Sequence, residues 1–133
     1  MANVGYSTAT YKTPLQHRIT ASMPVQASWV DSETGERVKV EGLTENLGET
    51  SALVNLETLP PVGSHVRLRI LEEGKSIIEV KTQVIRVERD PSKPMAALSV
   101  LENVKKWKGT AITAAQKWVT RHWQLNYEEE WAN

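Results

Sequence analysis

The segment His65–Leu71 shows the strictest alternation of apolar and polar residues in the chain. Val66, Leu68 and Ile70 alternate with basic side chains, and this period of two predicts a β-strand with one buried face. Related patterns occur in five other short segments: Met23–Asp31, Arg37–Thr44, Ala52–Leu56, Ser76–Glu88 and Met95–Leu101. Six short strands with no helical pattern between them satisfy their edges by closing on themselves. The sequence therefore predicts a mainly β fold, a small antiparallel six-stranded barrel that is closed or nearly closed.

Turn residues separate these segments. Stretches containing Gly or Pro, which do not suit a strand interior, are Ser32–Gly35, Pro60–Gly63, Glu72–Lys75 and Asp90–Pro94. A polar connection is expected at Glu45–Thr50. Within Ser76–Glu88 the apolar pattern shifts phase between Val84 and Ile85, which predicts a β-bulge that lets the sheet curl.

The hydrophobic period changes after Glu102. Apolar residues then recur at intervals of three or four, which predicts an amphipathic C-terminal helical tail. Asn103 is its expected N-cap. Gly109 is expected to break the tail into a short and a longer helix, because an interior glycine costs about 1 kcal/mol relative to alanine. The acidic run Glu128–Glu130 opposes the helix dipole, so the helix is expected to fray before it.

These patterns divide the 133 residues into three parts. They are a flexible N-terminal arm (1–14), a barrel domain (15–102) and a helical extension (103–133). The first 13 residues contain no apolar run of the kind found in signal peptides or membrane spans. A cytoplasmic location is therefore expected.

Composition argues against several kinds of site. The chain has no cysteine, which excludes disulfides and thiolate chemistry. Its 16 basic and 16 acidic residues cancel, so no global field favours nucleic acid or an anionic membrane. The spacing of His65 and His122 does not suit a metal site, and no metal or cofactor is expected. Neither a nucleophile motif nor a pair of catalytic acids occurs, so the chain is not expected to be an enzyme.

The region Asn46–Ile70 carries the most specific arrangement in the chain. A short polar loop is followed by Ala52-Leu53-Val54, then by Leu59-Pro60-Pro61-Val62-Gly63 and the alternating strand. In this order and spacing the chain resembles the PilZ domain, a small antiparallel barrel with a C-terminal helix found in bacterial proteins that respond to cyclic di-GMP. The resemblance covers Leu15–Lys106 and implies a PilZ-like barrel with a role in bacterial signalling.

Ligand-binding PilZ domains carry two signatures, RxxxR before the first strand and (D/N)xSxxG before the third. The resemblance implies that arginines clamp guanine edges and phosphates, that the Asp or Asn and the Ser bind a guanine, and that the Gly admits the ligand to the backbone. The candidate cyclic di-GMP positions here are Arg18, Asn46, Gly48 and Ser51. Pro14 stands where the first arginine belongs, and the Ser and Gly of the second signature are replaced by Gly48 and Ser51.

Three of the five signature positions are therefore changed, and Glu49 adds negative charge beside them. A hydrogen bond to a charged group contributes roughly 1.5–3 kcal/mol, and about 1.4 kcal/mol is tenfold in affinity. We expect cyclic di-GMP binding to be weak or absent. The expected function is that of a non-enzymatic signalling or adaptor domain acting through protein–protein interaction.

Two alternatives remain open. One is a functional cyclic di-GMP receptor that uses Arg18 and the Asn46–Ser51 loop. A lesser one is a small barrel that binds single-stranded nucleic acid through His17, Arg18, Arg67 and Arg69. Since no aromatic residues are interleaved with that basic set, a solvated strand face is the simpler interpretation.

The helical tail is rich in tryptophan. Four of the five tryptophans, Trp107, Trp118, Trp123 and Trp131, lie in the last quarter of the chain. The simpler interpretation is a lid across the barrel mouth. Because tryptophan is enriched in interface hot spots, the tail also predicts self-association or docking of a protein partner. The candidate interface residues are Trp107, Trp118, Val119, Trp123 and Leu125.

Overall fold

The computed structural model describes residues 18–132, with side chains described for residues 18–123. The predicted N-terminal arm, Pro14 and His17 lie outside the described residues. The side chains of Leu125 and Trp131 lie outside them as well, although both positions fall within a helix.

Six strands precede one helix. The strands are β1 (Pro24–Val30), β2 (Arg37–Leu47), β3 (Ser51–Leu56), β4 (His65–Glu72), β5 (Lys75–Glu88) and β6 (Met95–Val100), and the helix is α1 (Val104–Ala132). The strands form a closed barrel in the order β1-β2-β3-β6-β5-β4, and every pairing is antiparallel. The predicted six-stranded barrel with a C-terminal helix is confirmed.

The alternation that predicted the strands also selects their inner faces. Val66, Leu68 and Ile70 of β4 are fully buried, whereas Arg67 and Arg69 point outward and pair with Glu79 of β5. Because successive side chains point to opposite faces of a strand, the same pattern in the other strands fills the barrel with apolar groups.

Register shifts interrupt the strand pairing at three places, and one of them lies between Ile70 and Leu71 in β4. The register between β5 and β6 shifts between Val84 and Arg86, as the phase change in the sequence predicted. A second shift, between Thr44 and Asn46 in β2, was not predicted. This strand continues to Leu47 through part of the expected connection, because Ile19 forms an antiparallel bridge to Leu47 and supplies it with hydrogen-bond partners.

The helix is continuous, so the predicted break at Gly109 is wrong. The predicted fraying before Glu128 is also wrong, because α1 runs to Ala132. Buried contacts flank the glycine: Trp107 and Ala111 are both fully buried, and burying such side chains offsets a cost of about 1 kcal/mol. Asn103 precedes the helix, and its carbonyl accepts a hydrogen bond from the Trp107 amide at 2.8 Å.

The first half of α1 closes one end of the barrel. Trp107, Ala111, Ala114 and Ala115 recur at helical spacing and are buried with the strand residues of the core. These buried residues hold the first half of α1, the lid, against the end of the barrel where β2 meets β3. Among the described residues, no helix is both long enough and apolar enough to cross a membrane.

Candidate functional site

The connection between β2 and β3, which carries the second signature, is a tight turn. We call Asn46–Ser51 the signature turn. The Gly48 amide donates to the Ser51 carbonyl at 2.8 Å, and Leu47 is paired with Ala52 across the two strands. The turn is therefore fixed by backbone hydrogen bonds, and its side chains project from a rigid base.

Arg18 lies against this turn. Its Nε donates to Oδ1 of Asn46 at 2.6 Å, and its Nη1 donates to Oγ of Ser51 at 2.7 Å. The adjacent residue, Ile19, exchanges two backbone hydrogen bonds with Leu47, at 2.8 and 2.9 Å. The backbone bridge thus positions the arginine, and the structure brings Arg18, Asn46 and Ser51 of the sequence-predicted site together.

Gly48 provides the space for this arrangement. A Cβ at this position would lie 2.5 Å from Nη1 of Arg18 and 3.1 Å from Oγ of Ser51. The two replacements in the signature, Gly48 for Ser and Ser51 for Gly, therefore fit together around the Arg18 side chain. Gly48 leaves room for the guanidinium, and Ser51 supplies a hydroxyl that accepts a hydrogen bond from it.

The charge of Arg18 is partly shielded from solvent. Burial lowers the pKa of Arg18, and the positive charge of Arg86 on β5 lowers it further. An arginine remains charged in spite of such shifts. Arg86 itself pairs with Glu88.

The helix is tied to the same turn. Nε1 of Trp107 donates to the Gly48 carbonyl at 2.9 Å. Sequence reasoning placed Trp107 among the interface residues, but its side chain is fully buried within its own chain, so it belongs to the lid. The sequence does place Trp107 at the start of an amphipathic stripe, and a buried tryptophan N–H needs an acceptor. This pattern could have indicated a lid residue.

The other candidate interface residues lie farther along α1. Trp118 is partly buried against the core and stacks on His122, with ring centroids 3.7 Å apart. Val119 is 37% exposed and Trp123 is 65% exposed. These last two leave apolar surface in solvent on the second half of the helix.

An open groove of about 690 Å³ separates this part of the helix from the signature turn. One wall is formed by Arg18–Thr20 and Glu49, and the other by Ile112, Gln116, Val119 and Thr120. We call it the helix groove. Arg18 and Glu49 both line this groove.

The remaining basic candidates form a separate cluster on the barrel wall. Arg67 and Arg69 both donate to Glu79, at 2.9 and 2.5 Å. The hydrogen bond from Arg69, followed by that from Arg67, lowers the pKa of Glu79. The carboxylate is therefore ionised and offsets part of the positive charge of this face. The structure does not bring these arginines to Arg18.

Comparison with known proteins gives matches among solved structures alone. No family model matches the chain, and no curated protein matches it. The structure of the Bacillus subtilis inhibitor of motility, MotI/DgrA, matches with a TM-score of 0.52 and 25% identity, and the match covers 84% of this chain. This chain covers only 50% of that protein.

Two PilZ domains also match. The PilZ domain of CeSA from a cellulose-synthesising bacterium has 22% identity and a TM-score of 0.46, with 67% of this chain and 85% of that chain covered. The PilZ domain of YcgR from Escherichia coli, solved with c-di-GMP, has 15% identity and a TM-score of 0.49, with 86% and 92% covered. In its closed six-stranded barrel and C-terminal helix, the chain is similar in structure to these PilZ domains.

Proposed function

We propose that this chain is a non-enzymatic signalling domain that acts through protein contacts and binds cyclic di-GMP weakly or not at all. The proposal keeps the cytoplasmic location predicted from the sequence. Its protein contacts are assigned to the C-terminal helix, where Val119 and Trp123 expose apolar surface.

The observation that carries the proposal is the engagement of Arg18. Its guanidinium donates to Asn46 and Ser51 at 2.6 and 2.7 Å, so a ligand would have to replace these bonds. Because charged hydrogen bonds contribute roughly 1.5–3 kcal/mol, an exchange of one such set for another leaves little net affinity. The arginine then acts as a structural clasp on the turn.

The rest of the signature site supports the same conclusion. Gly48 offers no hydroxyl, and a larger residue there would collide with Arg18. Glu49 lines the same groove as Arg18, and its carboxylate would repel the phosphates of a cyclic dinucleotide bound there. Arg86, the other arginine near the site, is paired with Glu88.

Isothermal titration of the full chain with cyclic di-GMP tests the proposal. We expect a dissociation constant weaker than about 100 μM, equivalent to less than about 5.5 kcal/mol of binding free energy. The Arg18→Ala variant is expected to give the same trace. Micromolar or tighter binding that Arg18→Ala abolishes would overturn the proposal.

That outcome would support the second candidate, a cyclic di-GMP receptor. The observation in its favour is that Arg18, Asn46 and Ser51 converge on one side of an open groove. In this case the ligand would take over the guanidinium from its two intramolecular acceptors. The lesser alternative is single-stranded nucleic-acid binding, which predicts a salt-dependent mobility shift with RNA. The double variant Arg67→Ala with Arg69→Ala would abolish that shift.

A further inference from the structure

One face of α1 carries a regularly spaced set of residues, of which Ile112 also packs against the barrel core. Lys105, Ile112, Gln116, Val119, Trp123 and Glu130 follow one another at intervals of seven, four, three, four and seven residues, which keeps all six on one side of a helix. We call this set the outer stripe. Trp107, Ala111, Ala114 and Ala115, which pack on the barrel, lie on a different face.

The described part of the outer stripe is accessible. Ile112 is half-buried where the helix crosses the barrel, whereas Val119 and Trp123 are 37% and 65% exposed. Lys105 and Gln116 are exposed as well. The apolar residues of the outer stripe are therefore partly covered by the barrel at Ile112 and exposed to solvent at Val119 and Trp123.

The spacing of the outer stripe is the same when it is counted from either end of the helix. The spacing is symmetric about the midpoint between Lys117 and Trp118, so an antiparallel copy of the helix places 105 opposite 130, 112 opposite 123 and 116 opposite 119. A two-fold interface requires this self-complementarity, because each patch must fit an identical patch on the partner.

The charges of the helix favour the same pairing. Its first turn carries no acidic residue and its last turn no basic one, so Lys105 and the Glu130 position both oppose the helix dipole. In an antiparallel pair position 105 of each copy lies opposite position 130 of the second copy. The pairing therefore brings each residue whose charge opposes its own helix dipole opposite a position of opposite charge on the second copy.

The helix groove supplies the matching recess. Ile112, Gln116 and Val119 of the outer stripe form one of its walls, and Ile19 and Thr20 belong to the other. In the symmetric register, position 123 of a second copy falls opposite Ile112. The groove volume of about 690 Å³ accommodates an indole, and burial of large aromatic groups dominates the energetics of many interfaces.

We propose that two copies of this chain associate through an antiparallel, two-fold pairing of α1, with Trp123 of each copy entering the helix groove of the other. The helix of 29 residues is about 43 Å long, which allows contact along both halves. The pairing deepens the proposed function, since it names a second copy as the protein that the helix contacts.

Light scattering after size-exclusion chromatography of the full chain gives the first test. We expect a mass of twice the 14.9 kDa chain at about 100 μM, since a micromolar dissociation constant leaves most of the protein dimeric at this concentration. A monomer at that concentration overturns the inference. A dimer leaves the cyclic di-GMP titration unaffected, so failure of this inference and failure of the proposed function are separable.

A matched pair of aspartate variants locates the surface. Val119 lies in the outer stripe, and Thr113 is an exposed position outside it. Val119→Asp is expected to weaken the dimer by about tenfold or more, whereas Thr113→Asp leaves the mass unchanged. Circular dichroism shows whether both variants keep their helix. Equal dimer dissociation constants for the two variants would mean that the outer stripe is not the interface.

Charge exchange tests the antiparallel register. Lys105→Glu and Glu130→Lys are each expected to weaken the dimer, and the double variant is expected to restore it, because each new glutamate again faces a lysine of the second copy. Within one helix these positions are about 38 Å apart, so rescue cannot arise inside a single chain. Lys106→Glu, outside the stripe, serves as the control. Failure of the double variant to recover the dimer contradicts this register.

Discussion

Nη1 of Arg18 lies 2.5 Å from the position that a Cβ at residue 48 would occupy, so the guanidinium fills the space that Gly48 leaves. The φ angle of Gly48 lies outside the left-handed range. The turn therefore does not require a glycine for its backbone conformation. A glycine suits this position because an arginine from a distant part of the chain occupies the side-chain space, and a larger residue would displace that guanidinium.

The first prediction concerns this steric relationship. Gly48→Ala is expected to displace Arg18 from Asn46 and Ser51 and to lower the free energy of unfolding by about 1 kcal/mol, the usual net value of such hydrogen bonds. In an Arg18→Ala background the same change should cost almost nothing, because no guanidinium remains to collide. Urea unfolding of the four proteins in this cycle measures the coupling, and additive effects would show that the two residues do not interact.

The second prediction restores the signature. The double variant Gly48→Ser with Ser51→Gly is expected to release Arg18 and to strengthen cyclic di-GMP binding by about tenfold or more, which corresponds to one recovered contact of about 1.4 kcal/mol. Adding Pro14→Arg should strengthen it again. Calorimetric titration measures the gain.

A third substitution provides the control for that experiment. Adding Arg18→Ala to the restored variant should remove the gain, because the released guanidinium is the group that meets the ligand. A gain that survives the loss of Arg18, or no gain at all, would contradict the view that the Ser and Gly exchange keeps the site closed.

The barrel could be predicted from the sequence because local and global signals agree. Strict alternation in β4 and the phase shift near Val84 each follow from the two-residue period of a strand. The helix boundaries were less predictable. Gly109 disfavours a helix locally, but burial of Trp107 and Ala111 on either side of it is a tertiary effect that the local pattern does not contain.

The site residues could be chosen from the resemblance, but their relationship could not. Arg18 and Asn46 are 28 positions apart, and nothing in the sequence indicates that one binds the other. The meaning of Gly48 depends on the guanidinium beside it. Trp107 was assigned to an interface because the sequence shows a tryptophan-rich tail without showing which indole finds an acceptor inside the fold.

A third prediction concerns the segment that carries Arg18. Oγ of Thr44 is buried; it accepts from the Met23 amide at 2.8 Å and donates to the Ala21 carbonyl. Thr44→Val leaves both backbone groups without this partner and is expected to destabilise the fold by about 2 kcal/mol. Thr44→Ser keeps the hydroxyl and should cost less. Thermal unfolding compares the two, and equal losses would show that the hydroxyl is not responsible.

A fourth prediction is a pH dependence. The hydrogen bonds from Arg69 and Arg67 lower the pKa of Glu79 in the folded state. Its contribution to stability is therefore present above the unfolded pKa of about 4.3 and is lost as pH falls through the folded pKa. Because the pair is solvent-exposed, the effect should be below about 1 kcal/mol. The stability difference between the native chain and Glu79→Gln should shrink between pH 7 and pH 3 in urea titrations.

The last prediction links the helix to the signature turn. Trp107→Phe removes the N–H that donates to the Gly48 carbonyl at 2.9 Å, which leaves a buried acceptor unpaired and should cost about 1–3 kcal/mol. Trp29→Phe makes the same change at another buried tryptophan and serves as the volume control. Hydrogen exchange followed by NMR should show a faster Gly48 amide in Trp107→Phe alone. Faster exchange there in both variants would mean that general destabilisation loosens the turn. An unchanged Gly48 amide in Trp107→Phe would mean that the helix lid does not hold the turn in place.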